Sequence, residues 1–233
     1  MITRPFAHMS AGTLVASVLL VPTWQAIPAP APGIVEVQDE PHHRVVFENA
    51  AIRLLDVEIP PQTSTLYHRH RRDNAAVALN DAELAVQPLG KPKSATQHST
   101  AGAVVFSLSP EGGYVHSVIN AGPTTCRAID VELLASPGHL PLAANESVNA
   151  SFENDRIRVY QVWLSPGETS LPLVLGRGVL MLTPGAAVDQ VSANGRVDPI
   201  GADAPRWRWH EAGTYSLHNS SAERVLGVQL EIK

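Results

Sequence analysis

The chain has 233 residues, 44% hydrophobic and 17% charged, which is enough apolar material for a packed core and too much for a disordered chain. A formal net charge of −5 and a pI near 6.0 give no general basic field, so nucleic acid and anionic membrane are not indicated as partners. Cys126 is the only cysteine, so no intrachain disulfide can form, and in its apolar run it reads as a small buried hydrophobe.

In chain order, Arg4 precedes an apolar run over 11–21, and residues 24–33 turn rich in Ala and Pro. That order is the order of a secretory signal peptide. The run is too short to cross a bilayer, which takes about 20 residues. Residues 1–33 are therefore expected to be a leader cleaved between Ala26 and Ala31, giving a periplasmic or secreted protein with no stable membrane span. An uncleaved tether or a disordered extension is the alternative.

Short β-type runs separated by turn residues follow: 52–59, 75–79, 83–88, 103–108, 114–119 and 127–134, then 157–164, 179–182, 206–209, 215–218 and 224–232. No stretch after the leader holds a helical period over 12 residues. The two series are related, because Phe47-Glu-Asn-Ala-Ala-Ile-Arg53 recurs as Phe152-Glu-Asn-Asp-Arg-Ile-Arg158. The match runs on without a gap through Val57 and Val162, Pro61 and Pro166, Leu66 and Leu171. After small gaps, Asn120 falls near Asn219, Val131 near Val228 and Leu133 near Leu230. One unit is present twice. The expected organisation is a first barrel over 36–135, a linker over 136–150 and a second barrel over 151–233. The fold class is all-β, two jelly-roll barrels in tandem.

Leu-Tyr-His-Arg-His-Arg-Arg-Asp, 66–73, is the chemically dense stretch. A spacing of two sends His68 and His70 to one face of a strand, with Arg69 and Arg71 on the other. Facing into a barrel, that pair offers a metal two nitrogen ligands.

These residues resemble the motifs of the cupin superfamily. The first motif is Gly, five residues, His-x-His, three or four residues, Glu. The second is Pro-x-Gly, two residues, His, three residues, Asn. His68 and His70 match the first; His116 and Asn120 match the second, with Pro110 and Gly112 one residue farther ahead than the pattern asks. The resemblance implies two double-stranded β-helix barrels, a bicupin. It implies one divalent metal ion (Fe, Mn, Zn, Cu or Ni) held by His68, His70 and His116. Two departures stand out. Gln62 takes the motif glycine's place, and Asn74 the glutamate's. Asn74 and Asp73 are candidates for a fourth ligand or for a hydrogen bond behind the ligands. In the second copy Gly167 is present, but Leu173, Leu175 and about Tyr215 take the histidine positions. That barrel is expected to bind no metal and to have an apolar or aromatic interior.

The implied function is action on a small molecule at the first barrel's mouth, by a dioxygenase-like or a lyase or isomerase reaction whose catalytic residues are unknown. The alternative is a non-catalytic metal- or ligand-binding module. A third reading has no metal and an anion bound by the Arg69 to Arg72 cluster. Tyr67 and Tyr114 are expected to pack between strands. Asp130 and Glu132 read first as solvated or edge-strand carboxylates, and second as partners for a histidine N–H. His42, His43, His98 and His139 read as surface residues. The 206–210 strand puts tryptophans on one face, for core packing or a barrel-to-barrel interface. Exposed sheet faces of the two copies would cover one another, giving a monomer, or a homodimer would form. There is no Gly-x-Ser-x-Gly, phosphate loop or Cys-x-x-Cys to suggest other chemistry.

Overall fold

The computed structural model describes residues 33–135 and 150–233. The leader and its cleavage, His139, and the joining stretch up to residue 149 lie outside the described residues. Among those described there is no α-helix, only a 3₁₀ turn at Val37–Asp39.

The first copy contributes ten strands: β1 Ile34–Glu36, β2 His43–Glu48, β3 Ile52–Ile59, β4 Tyr67–His70, β5 Asn74–Ala78, β6 Ala82–Pro88, β7 Gln97–Ser99, β8 Val104–Ser107, β9 Tyr114–Asn120 and β10 Cys126–Leu133. They form two sheets, in the orders β1-β4-β9-β6-β7 and β2-β3-β10-β5-β8. The second copy contributes β11 Ala150–Glu153, β12 Ile157–Leu164, β13 Leu173–Leu175, β14 Gly178–Leu182, β15 Ala187–Ser192, β16 Val197–Gly201, β17 Trp207–His210, β18 Gly213–Asn219 and β19 Val225–Ile232. Its sheets run β11-β12-β19-β14-β17 and β13-β18-β15-β16. The order β2-β3-β10-β5-β8 is repeated strand for strand by β11-β12-β19-β14-β17, so the sequence repeat is a repeat of jelly-roll topology.

Equivalent turns are locked by equivalent asparagines. Asn49 Oδ1 accepts the N–H groups of Ala51 and Ile52 at 2.8 and 2.9 Å; Asn154 Oδ1 does the same for Arg156 and Ile157. Asn120 donates Nδ2–H to the carbonyls of Ile59 and Thr124, and Asn219 to those of Leu164 and Glu223. Each is fully buried and ties the end of one sheet to the next. The second-motif asparagine is thus a turn lock in both barrels.

In the two large sheets, β2-β3-β10-β5-β8 and β11-β12-β19-β14-β17, the central strands are largely buried on both faces, apolar toward the neighbouring barrel and with polar groups such as Asp130, Glu132 and Gln229 on the other face. One face of β3, β5 and β10, including Ile52, Leu54, Val77, Ile129 and Val131, packs against Ile157, Val159, Val179, Met181, Val228 and Leu230 of the second barrel in a single core cluster. Burying each such side chain contributes roughly 1.5–3 kcal/mol. Trp207 and Trp209 join this shared core, their rings 5.3 and 6.2 Å from Phe47 of the first barrel.

The two barrels differ inside. The second is filled by Tyr160, Val162, Leu164, Leu173, Leu175, Leu180, Leu182, Val188, Ile200 and Leu217. The first has an apolar plug at one end only, Val57, Ile59, Ala82 and Cys126 with Leu84 and Val118. Cys126 is buried there, and burial pushes its thiol up to about 11.

Candidate metal centre

The alternation of β4 turns His68 and His70 inward, and the antiparallel register of β9 brings the third imidazole in from the other motif. His68 pairs with His116 and His70 with Tyr114 across the two strands. The ring nitrogens of His68, His70 and His116 lie within 4.8 Å of one another. His68 Nε2 and His116 Nε2 are 2.9 Å apart. His68 Nδ1 is 3.0 Å from the Leu66 carbonyl, so it carries the proton and leaves Nε2 as a bare lone pair.

All three rings are held neutral. Burial, reinforced by the neighbouring imidazoles, pushes His68 down to about 4 and His116 to about 2. His70 is lowered by burial, against the pull of Asp130. Neutral imidazole is the form that ligates. Two donors each about 2.1 Å from one ion at a right angle lie ~3 Å apart, which matches the Nε2 pair. His70 Nδ1 and Asp130 Oδ2, both buried and without a hydrogen-bond partner, face each other at 3.5 Å. That is the relation of a ligating histidine to the carboxylate behind it. The residues present fit a divalent ion with nitrogen ligands.

The two carboxylates read as solvated or on an edge are neither. β10 is flanked by β3 and β5, and Asp130 and Glu132 are 3% and 1% exposed. Burial, with Asp130 alongside, pushes Glu132 up to about 7 against the opposing pull of Arg53. Asn74 donates Nδ2–H to Asp130 Oδ1 at 2.6 Å, which ties it to the carboxylate behind His70. Asp73 is engaged elsewhere, accepting the Ser109 N–H at 3.0 Å and pairing with Arg156 of the second barrel at 3.2 Å.

Two further residues of the site differ from expectation. His43 is not on the surface: it is 7% exposed, and its ring lies 4.6 Å from His68. The reason is the register of β2, which sets His43 opposite inward-facing Val57. Its Nδ1 meets Glu40 Oε2 at 2.6 Å, and buried Glu40 also accepts the N–H groups of His42 and Leu66. These bonds outweigh burial and keep the Glu40 carboxyl below its ordinary range. Tyr114 stands two residues from His116, hence on the same face, with its ring 4.7 Å away. Only Tyr67 alternates with the histidines and turns outward. The spacing of two was the available signal for Tyr114. His43 had none, because the Pro41 segment has no described counterpart ahead of β11. His98 is exposed, as expected, beside Asp81 and Glu83.

In the second barrel the same register pairs Leu173 with Tyr215 and Leu175 with Gly213. Leucines fill the imidazole positions, and Gln229 stands at the place of Asp130, so Val131 answers to Leu230 and Leu133 to Ile232, two residues on from the pairing expected from the sequence. That barrel lacks the three-histidine group.

No family model and no curated protein matches the chain. Solved structures do. AerE from Microcystis aeruginosa superposes with a TM-score of 0.57 at 11% identity, covering 83% of this chain and 98% of its own. YhaK from Escherichia coli gives 0.56 at 14% identity, covering 82% and 92%. Salicylate 1,2-dioxygenase from Pseudoaminobacter salicylatoxidans, in its adduct with gentisate, gives 0.52 at 10% identity, covering 88% and 80%. Similarity at these identities is similarity of fold. Two tandem jelly-roll barrels, the motif histidines converging in the first and these structural neighbours together identify the chain as a two-barrel protein of the cupin fold.

Proposed function

We propose that the first barrel holds one divalent metal ion through His68, His70 and His116 and handles a small molecule at the mouth of the barrel. The observation that carries this is the Nε2 pair of His68 and His116 at 2.9 Å, both rings neutral, the first buried and the second half-buried. A divalent ion there would polarise an oxygen of the bound molecule and, if redox-active, would supply oxygen chemistry. The chain's own part is legible. Leu66 fixes the His68 tautomer, Asp130 orients His70, and Asn74 holds Asp130 in place. Tyr114 walls the site beside His116, while the plug around Val57 and Ile59 closes the far end to water. The salicylate dioxygenase of the same fold supports a dioxygenase-like reaction as the first chemistry to try.

One observation favours a non-catalytic binding module. No carboxylate joins the three imidazole nitrogens among the described residues, since Asn74 occupies the glutamate's place. Oxygen uptake by the metal-loaded protein with aromatic hydroxy acids separates the two readings.

The test of the metal site is elemental analysis of protein purified without a tag. About one equivalent is expected in the wild type and none in His68→Ala. Asp130→Asn is expected to bind metal about 10–100-fold more weakly, the usual cost of losing the partner behind a ligand. Full metal occupancy in His68→Ala overturns the assignment.

A further inference from the structure

Beyond His70 the chain leaves β4 through Arg71 and Arg72, and a cleft of about 530 Å³ opens at that end of the first barrel. Arg53, Arg69, Arg71 and Arg72 line it, against Glu36, Glu48 and Glu132. Most of this charge is already paired. Glu36 takes Arg69 at 3.2 Å and Arg71 at 2.8 and 2.9 Å, and Arg53 bridges Glu48 at 2.7 Å and Glu132 at 2.9 Å. Arg72 is exposed and feels Glu132 only through space, with no hydrogen bond or close ion pair among the described residues, and Arg69 Nε is buried without a hydrogen bond. The cleft therefore has four arginines against three glutamates, and Arg72 is the guanidinium left open to a further anion, in a chain whose net charge is −5.

Position gives this charge a use. Glu132, at the floor of the cleft, has Oε1 4.0 Å from His70 Nδ1, so the cleft and the imidazole group share a wall. A guanidinium offers planar paired donors that suit a carboxylate or a phosphate. We propose that the molecule handled at the first barrel carries an oxyanion group, and that Arg72 binds this group in the cleft. The proposal rests on the reading of this mouth as the site.

Calorimetric titration of the full chain at low ionic strength tests it, with succinate, succinamide and inorganic phosphate as probes. The expected result is binding of succinate or phosphate, whichever matches the natural group, no binding of succinamide, and weakening of roughly tenfold or more in Arg72→Gln, as for loss of a charge-assisted bond. Arg206→Gln removes an arginine in a separate groove and should leave binding unchanged. Equal affinity in Arg72→Gln and wild type, or no binding of either anion at millimolar concentration, overturns the proposal. Metal content in the same preparations keeps the two readings apart. Arg72→Gln should retain its metal. If His68→Ala also retains metal while Arg72→Gln loses the anion, the metal site fails and the anion site stands.

Discussion

The imidazoles of the first barrel are neutral because they are buried together, and this sets the sign of the protein's response to acid. In the metal-free chain His68 and His116 titrate at about 4 and about 2 when folded, against about 6.5 when unfolded. Between those limits the unfolded chain binds more protons, so stability is complete above pH 6.5 and falls as the pH drops toward 4. The slope approaches about 1.4 kcal/mol per pH unit for each histidine. Urea denaturation of metal-free protein at pH 7 and pH 5 should show the loss, and Leu substituted at both positions should remove most of it. A flat profile in the wild type would mean that the rings are hydrated. At this scale the three histidines were legible, His68 and His70 from their spacing and His116 from the second motif, and Asp130 only as a second reading, whereas Glu40 and His43 were not. Their burial depends on pairing between distant strands. Gln62 shows the same limit. Its φ of 57° keeps the left-handed turn that Gly167 makes at 73°, and its side chain donates to the carbonyls of Ala121 and Gly122. A motif glycine was lost there while its backbone conformation was kept.

Among the strands, length decided what could be read. β3 and β12 match their expected limits, because eight residues with a repeated flanking motif leave little freedom. β7 and β13 have three residues each, too few to show alternation, and β16 carries Pro199, tolerated because it is an edge strand. The approach of β4 to β9 depends on Gly113, whose φ is 91°. A Cβ there would lie 2.8 Å from the His70 carbonyl oxygen and 2.7 Å from Arg69 Cγ. Gly113→Ala should cost about 1–2 kcal/mol in backbone strain. It should also push β9 outward, taking His116 from His68. The expected outcome is a lower melting temperature with metal binding weakened roughly tenfold, read by metal titration. A lower melting temperature with unchanged metal affinity would show that the shift is absorbed before His116.

For the molecule as a whole, the two barrels share one core rather than touching at a surface. Arg156 reaches from the second barrel to Asp73, and Gln161 Nε2–H donates to the Gly102 carbonyl at 2.9 Å. Neither large sheet can expose its shared face without uncovering the other, so unfolding should be a single event. The described tryptophans, Trp163, Trp207 and Trp209, all lie in the second barrel and the histidine group in the first. Denaturant curves from tryptophan fluorescence and from metal release should therefore coincide. Separated midpoints would show two independent units. This sharing also gives a barrel without the histidine group a structural role: its interior is filled largely by apolar side chains, and its outer face is half of its neighbour's core.

A three-residue strand at the sheet edge has a kinetic consequence. β1 pairs in parallel with β4, Val35 beside His68, at the edge of its sheet, and Glu36 clasps Arg69 and Arg71. Edge segments open locally at far lower cost than a barrel unfolds. An ion held on β4 would thus have an escape route through the fraying of Ile34–Glu36, and its residence time would be written in three residues that coordinate nothing.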